Sequence, residues 1–456
     1  GDVTASNGLF ENVRIVGGVS NNSITPFSKT EPGFIGGGSN NTINNSLNSS
    51  LIGGSNNTIT DENATSSTGS FIGGGSGNTI NDGVTGEQKF AHSIIVGGVS
   101  NSIRGNIDSF IGGGSENDIR ESGRRNVIVG GRYNQIYAQT SASFVGGGEL
   151  HRIIGSTDSI IGGGRSNEIS ASATSFIGGG NANTIHSSER SSILSGQNGN
   201  IEFSPGSTII NASSTGAPYS NIFSGSEGSI LGGGFTQEIR NTKFSSILGG
   251  NGNKIGGEAN FGLTSAQYST VGGGFNNTIS SSNAGFIGGG SSAATTTAPS
   301  IFARSVPATL FYSDNSVKVG GGEGKIFGSD YAFLGSGKET HISSSDYGVI
   351  VSGEDSLVIA SDNSFIGTVA DSAILGSKNS FIGAGSSNII SGSLYGKPAD
   401  TSNNGGNVIV GGILHNIMVI SSSAAISARA EYNFIGGGRG HNIKQTQYSV
   451  IVGGYE

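Results

Sequence analysis

The side chains best suited to chemistry in this chain of 456 residues are carboxylates gathered late in the sequence. Strands stacked in successive coils would place two carboxyl groups about 5 to 9 Å apart, the separations that glycoside hydrolases use for their acid and base. This pattern would suit cleavage of polysaccharide. However, the chain has no tryptophan to stack on a sugar ring, and carboxylates are mostly solvated surface groups, so we expect no enzymatic activity. The residues concerned are Glu323, Asp330, Glu339, Asp346, Glu354, Asp355 and Asp362.

Histidines are the other candidates for chemistry, as metal ligands. No pair has the His-x-x-x-His spacing of a zinc site, and cysteine is absent, which excludes thiolate ligands and disulfides. The glycine runs do not continue into the Gly-Lys-Ser/Thr of a phosphate-binding loop. We therefore predict no metal site and no cofactor. The histidines are His92, His151, His186, His341, His415 and His441.

Composition excludes several classes of protein. Glycine supplies 83 residues but proline only 7, so the chain is not collagen. Regularly spaced Ile, Val and Phe are atypical of disordered chains. The net charge is −8 and no basic stripe is present, so we expect no nucleic-acid partner. The chain also lacks the run of about 18 apolar residues that a membrane-spanning helix needs.

One short motif recurs from end to end: an aromatic or aliphatic residue, Ile or Val, a glycine run, a few polar residues, and Asn-x-Ile. Copies include Phe34–Ile43, Leu51–Ile59 and Phe71–Ile80. The first glycines of the early copies stand at positions 17, 36, 53, 73, 97, 112, 130, 146, 162 and 178, with a shortest step of 15 to 16 residues. Longer steps carry inserted polar residues. A constant unit with variable connections is typical of a solenoid.

Each copy supplies two short segments rich in β-branched and aromatic residues, which predicts an all-β solenoid. The glycines between them suit tight corners and not the interior of a helix. We predict one continuous repeat array over residues 1–456 instead of separate globular domains. Regularity fades in four stretches, which we interpret as excursions between coils: residues 200–228, 291–318, 393–406 and 419–432.

The two faces of each strand have different roles. Alternation sends Phe71 and Ile72 to opposite faces. Ile72 and Ile80 would then share the interior of one coil, while Phe71 would join an apolar row outside it. A lone narrow solenoid does not need such a row, whereas an oligomer axis does, so the pattern favours an assembly of several copies.

Asparagine recurs two residues before the second Ile of the motif. Stacked coils would bring these amides into a ladder in which each satisfies its neighbours above and below. His151, His415 and His441 occupy the same position in other copies, and we interpret them as substituted ladder residues. The predicted structural ladder consists of Asn41, Asn57, Asn78, Asn101, Asn117, Asn134, Asn167, Asn183, Asn253 and Asn277.

The sequence Ser-Phe-Ile-Gly-Gly-Gly-x-x-Asn-x-Ile, found at Ser70–Ile80 and Ser175–Ile185, resembles the head repeat of YadA-like trimeric autotransporter adhesins. It is still more similar to the Gly-Gly-Gly-x-x-Asn repeats of phage tail-fibre-like β-roll proteins. The resemblance covers most of the chain, although the steps here are longer than the family's short repeat. It implies a left-handed parallel β-roll in which three identical chains pack around one axis as a fibre or adhesive head.

From this resemblance we expect a non-enzymatic structural or adhesive fibre protein outside the cell, on a cell surface or a virion. Its partners would be further copies of itself and a surface glycan or protein receptor. The candidate receptor contact lies in the 291–318 excursion, although its residues can instead fill the seam between copies. Two alternatives stay open: a tailspike-like polysaccharide depolymerase that uses the late carboxylates, and an extracellular filament or sheath subunit that polymerises end to end. The contact residues are Phe302, Arg304, Phe311 and Tyr312.

Overall fold

The computed structural model describes residues 14–15, 21–25, 33–61, 69–81, 92–121, 123–213, 220–223, 225–256, 266–280, 282–289, 309–311, 313, 315–319, 324–338, 340–392, 405–418, 430–444 and 446–455. These residues form strands and turns and contain no helix. They therefore offer no helix long and apolar enough to cross a membrane. The predicted all-β solenoid is confirmed: parallel coils stack in each of two compact units, Gly1–Tyr219 and Ser220–Glu456.

In the first unit, alternate strands along the chain belong to two parallel ladders. One ladder, here called the Phe-Ile sheet, contains the strands that precede the glycine runs, and the other, the Asn-Ile sheet, contains those that follow them. The strands are, in chain order, Arg14–Ile15, Ser23–Thr25, Phe34–Ile35, Thr42–Asn44, Ser50–Leu51, Thr58–Thr60, Phe71–Ile72, Thr79–Asn81, Ile94–Ile95, Ser102–Arg104, Phe110–Ile111, Asp118–Arg120, Val127–Ile128, Gln135–Tyr137, Phe144–Val145, Arg152–Ile154, Ile160–Ile161, Glu168–Ser170, Phe176–Ile177, Thr184–His186, Ser192–Gly196, Gly199–Glu202 and Thr208–Ser213.

The second unit repeats this organisation. It begins with a strand of the Asn-Ile sheet, and its strands again alternate between the two sheets. They are, in chain order, Ser220–Phe223, Ile230–Phe235, Glu238–Arg240, Ser246–Ile247, Lys254–Ile255, Thr270–Val271, Thr278–Ser280, Phe286–Ile287, Thr309–Phe311, Val317–Lys318, Gly324–Phe327, Phe333–Lys338, Thr340–Ser343, Val349–Glu354, Leu357–Ile359, Phe365–Ala370, Ala373–Leu375, Phe381–Ser386, Ile389–Ser391, Val408–Ile409, Asn416–Met418, Phe434–Ile435, Asn442–Lys444 and Val450–Ile451.

The coil at residues 160–175 shows how the sequence fills the interior. Ile161 of the Phe-Ile sheet and Ile169 of the Asn-Ile sheet are fully buried and form the apolar core of this coil. Asn167, Ser172 and Ser175 complete the interior at the corners. Burying an isoleucine stabilises a fold by about 2 to 3 kcal/mol, so a coil with two of them depends on its neighbours for the rest of its stability.

In the three-glycine copy at residues 71–80, the side chains face inward and outward as the sequence predicts. Ile72 and Ile80 are fully buried, whereas Phe71 lies on the outer face and is half-buried. Parallel pairing aligns Phe71 with Ile94 and Ile72 with Ile95 in the next coil. Each strand therefore presents one residue to the core and its neighbour to the outside.

The structure corrects the predicted phase of copies that have only two glycines. Leu51 pairs with Ile35 and is buried, so Ile52 takes the place of Gly36 and is 48% exposed. The step of 15 residues counted between glycines 97 and 112 is one of 16 residues between the paired Ile95 and Ile111. The first glycine position faces outward, where an aliphatic side chain also fits, and glycine is therefore an unreliable marker of phase.

The last glycine of a three-glycine run, such as Gly114, stands at a corner where the next coil lies close. Gly114 has φ +88°, and a Cβ there would lie 2.0 Å from the carbonyl oxygen of Gly131 in the next coil. Positive φ strains any residue with a side chain. The preceding Gly113 has no heavy atom within 4 Å of its Cβ position and no positive φ.

A cationic side chain, Lys318, stands at an aliphatic position in the core of the second unit. Parallel pairing places it between Ile287 and Leu334, and it is fully buried. Burial disfavours the charged form and lowers the pKa of Lys318 from 10.5 to about 8.

We expect Gly114→Ala to destabilise the first unit by about 3 kcal/mol or more, because it adds backbone strain to a steric clash with the next coil. Gly113→Ala, the matched control, should change stability by less than about 1 kcal/mol. Urea unfolding followed by circular dichroism, with amide exchange near Asn117 as the local readout, measures both. Equal effects of the two variants would contradict this account of the corner.

We expect the wild-type chain to gain stability as the pH rises from about 8 to 10.5. In that range the unfolded Lys318 still binds a proton that the folded residue has released, so raising the pH favours folding. Lys318→Leu should lack this gain and be more stable near neutral pH, by up to about 3 kcal/mol. Lys254→Leu, which changes an exposed lysine, is the control in the same urea titrations. A rise that persists in Lys318→Leu would refute the assignment.

Candidate functional site

The asparagine that follows most of the glycine runs ties neighbouring coils together. Oδ1 of Asn117 accepts a hydrogen bond from the backbone N–H of Asn134, at 3.1 Å. Its Nδ2 donates to the carbonyl oxygens of Gly113, at 2.9 Å, and of Gly131 in the next coil, at 3.0 Å. One buried amide thus satisfies three backbone groups that no strand pairs.

All ten predicted ladder asparagines lie in the interior, and none presents its amide to solvent. Bonds of the same kind run along both units; in the second unit, for example, Asn277 donates its backbone N–H to Oδ1 of Asn253 at 2.9 Å. This position therefore holds the coils together and is closed to a receptor. The buried residues are Asn41, Asn57, Asn78, Asn101, Asn117, Asn134, Asn167, Asn183, Asn253 and Asn277.

Serine ladders at the opposite corner are a feature that the sequence analysis missed. The backbone N–H of Ser159 donates to Oγ of Ser143 at 3.1 Å, and the Ser159 hydroxyl donates to the carbonyl oxygen of Ser172 at 3.0 Å. A second row runs beside it, where Ser172 donates its N–H to Oγ of Ser156 at 2.9 Å. The signal in the sequence was a serine directly before many of the Phe-Ile pairs and often another three residues earlier, as at Ser175 and Ser172.

His151 takes an asparagine position in the first unit. Its backbone N–H donates to Oδ1 of Asn134 at 3.0 Å, and its Nδ1 accepts the N–H of Asn167 at 3.2 Å. This arrangement requires the neutral ring with its proton on Nε2. The ring is fully buried, and burial lowers the pKa of His151 below its ordinary value.

His415 and His441 stand at the same position in the second unit. Their rings stack at 5.1 Å between centroids, 6° from parallel. The backbone N–H of His441 donates to Nδ1 of His415 at 3.3 Å. Burial, and then the neighbouring His441, lower the pKa of His415. Among the described residues, no group of His, Asp or Glu side chains is placed to hold a metal ion.

Three of the late aspartates form one column at a corner of the second unit. Oδ1 of Asp346 accepts the backbone N–H of Asp330 at 2.9 Å, and Oδ1 of Asp362 accepts that of Asp346 at 3.2 Å. Oδ2 of Asp362 lies 2.9 Å from Nζ of Lys378. The carboxylates of Asp346 and Asp362 therefore bind backbone donors, and that of Asp362 also pairs with a lysine. Glu354 ends the strand Val349–Glu354 and Asp355 follows it, while Glu323 and Glu339 lie outside the described residues.

The predicted receptor-contact residues lie almost wholly outside the part of the chain that the structure describes. This applies to Phe302, Arg304 and Tyr312. Phe311 ends the strand Thr309–Phe311, which pairs in parallel with Lys325–Phe327 of the Asn-Ile sheet.

Both units carry apolar side chains along the outer face of the Phe-Ile sheet. Phe144 is 36% exposed, and the rings of Phe365 and Phe381 stack at 5.1 Å between centroids. This face is called the outer apolar row below. Its phenylalanines among the described residues are Phe34, Phe71, Phe110, Phe144, Phe176, Phe286, Phe333, Phe365, Phe381 and Phe434.

Side-chain volume is compensated along the outer apolar row. Every phenylalanine just named is followed two residues later by glycine, and in most of these pairs the ring lies over that glycine, as that of Phe110 does over Gly112. Where the row has a smaller residue, an aliphatic side chain usually takes the glycine's place. Examples are Leu194 two residues after Ser192, and Leu248, likewise exposed, two residues after a serine.

The outer face of the Asn-Ile sheet in the first unit contains a groove. It spans three coils and has a volume of about 440 Å³. Its lining includes Glu168, Thr184, His186, Asn200 and Glu202. None of these was predicted as a binding residue, because they come from three copies of the repeat and form no local motif.

Comparison with known proteins does not indicate a function for this chain. No protein-family model matches the chain, and no curated protein matches it significantly.

We expect the wild-type chain to lose stability as the pH falls below about 6.5. The unfolded His151 binds a proton there that the buried, folded ring resists, so acid favours unfolding. His151→Asn restores the ladder amide and should reduce this loss, as urea midpoints on either side of that pH will show. The control is His92→Asn, which changes an exposed histidine beside Asp108. If both variants keep the wild-type acid sensitivity, His151 does not cause it.

Proposed function

We propose that this chain is a non-enzymatic structural and adhesive fibre protein that assembles as a homotrimer. It acts outside the cell, on a cell surface or a virion, and attaches to a surface glycan or protein receptor. The proposed protomer is a left-handed β-roll, as the resemblance of Ser70–Ile80 to adhesin-head and tail-fibre repeats implies.

The volume compensation along the outer apolar row is the observation that carries this proposal. The ring that lies over a glycine leaves little room for a side chain there, but a face that meets only water does not require an exposed aliphatic residue at that position where the row has a serine. A face packed against a solid surface does, because both overfilled and underfilled contacts cost free energy. The row therefore suits an interface that is buried in an assembly.

A second copy of the chain is the occupant that fits this row best. Successive coils place their outer side chains about 4.8 Å apart along each sheet. Only a surface with the same repeat can match that spacing over many coils, and another Phe-Ile sheet has it. Three copies, the number implied by the resemblance, would close the contact around one axis.

Assembly around an axis also supports an adhesive role. Three identical chains display each surface feature three times, and this raises the effective concentration of weak sites for a receptor. The excursion at residues 291–318 remains the proposed receptor contact. The carboxylates of Asp346 and Asp362 accept backbone N–H groups, and Asp362 also pairs with Lys378, which argues for a structural role of this column.

We expect light scattering of the purified chain to give a mass of about three times 45.7 kDa. Phe144→Asp combined with Phe176→Asp should yield monomers, because each carboxylate would be buried at the seam. Gln135→Asp, on the outer face of the opposite sheet, should leave the trimer intact. A monomeric wild-type chain, or a trimer that survives the double substitution, would overturn the assembly. Binding of the trimer to glycan-bearing cells tests the adhesive role separately.

A further inference from the structure

The groove on the Asn-Ile sheet differs from the rest of that face in how its side chains are paired. In the preceding coils, charged groups pair with one another across coils: Arg104 with Asp118 at 3.0 Å, and Arg152 with Glu168. In the groove itself, the Ser170 hydroxyl and Nδ1 of His186 are 2.8 Å apart. These charged and polar side chains therefore already have ionic or hydrogen-bonding partners within the protein.

Three groove side chains have no such partner within the described residues. Thr184, Asn200 and Glu202 form no side-chain hydrogen bond or ion pair there. Parallel pairing sets Thr184 beside Asn200, and His186 beside Glu202, in adjacent coils. A hydroxyl, an amide and a carboxylate thus converge on one concave surface with unused hydrogen-bonding capacity.

The mixture of donors and acceptors selects the class of ligand. An anion would use only the donors and would be repelled by the carboxylates of Glu168 and Glu202. A cation would bind only to the acceptors and would leave the hydrogen-bond donors of Asn200 and Thr184 without a partner. A neutral polyhydroxylated molecule uses both kinds, because each hydroxyl donates one hydrogen bond and accepts others.

An apolar surface adjoins the polar groove. The ring of Phe203 meets the ring of His186 edge to face, with 5.6 Å between centroids, and Phe203 is 52% exposed. Saccharides need such a combination, since a pyranose has an apolar C–H face and a rim of hydroxyls. We propose that this groove is a binding site for a neutral saccharide, which rests on the proposed function by giving the adhesive protein a glycan contact on its first unit.

The test measures binding of neutral hexose oligosaccharides to the full-length assembly by saturation-transfer NMR and titration calorimetry. A sialylated oligosaccharide and a polyamine are the anionic and cationic comparisons. Asn200→Ala and Glu202→Gln should each weaken binding of the neutral sugar about tenfold or more, through loss of one direct hydrogen bond. Gln135→Ala, on the same sheet face outside the groove, should bind as the wild type does. Light scattering and thermal melting check that each variant keeps its fold and assembly.

Each outcome decides for or against the groove. Loss of neutral-sugar binding in the two groove variants alone supports the proposal. No neutral sugar bound by the wild type, equal binding by all variants, or a preference for the anionic or cationic probe overturns it. Attachment to glycan-bearing cells separates the two proposals. If the wild type attaches, and the groove variants attach and bind sugar equally well, the groove is not the saccharide site but the adhesive function stands. A wild type that attaches to no such cells refutes the adhesive function itself.

Discussion

Stacked parallel coils depend on satisfying the backbone groups at their corners, where no strand pairs them and little water reaches. In this protein the asparagine after most of the glycine runs does so at one corner, and two rows of serine do so at the other. Asn117 and Ser159, for example, each bond both their own turn and the next coil. Because an unsatisfied buried backbone group costs about 1 to 3 kcal/mol, these ladders stabilise a coil that has only two aliphatic core residues.

This arrangement explains which substitutions the interior accepts. His151 can replace asparagine because its backbone N–H and Nδ1 keep two of the ladder hydrogen bonds. Burial disfavours the charged ring, and the pKa of His151 is therefore lowered. Lys318 replaces an aliphatic residue between Ile287 and Leu334. Its pKa is lowered because burial disfavours the charged ammonium group. The corner glycine at Gly114 accepts no such replacement, since backbone of the next coil occupies the space of a side chain.

Since the interior supplies the cohesion within each unit, the outer faces are available for other roles. On the outer apolar row, an aliphatic side chain usually takes the glycine's place where phenylalanine is absent, and we propose that this row is an interface between copies. The Asn-Ile sheet of the first unit instead carries charged pairs and one groove whose polar groups are left open. The proposed assembly face and the proposed ligand site thus lie on opposite faces of the coils, and neither involves the ladders between them.

The sequence by itself determined the class of fold, the inward positions of Ile72 and Ile80, and the recurrence of buried asparagine, because these follow from local alternation and from a repeated motif. Only the tertiary structure decided the phase of the two-glycine copies, where Leu51 and not Ile52 faces the core. It also revealed the serine ladders and the groove. The physical reason is that pairing register sets which residues from different coils meet, and side chains 16 or more residues apart carry no local sign that they will be neighbours.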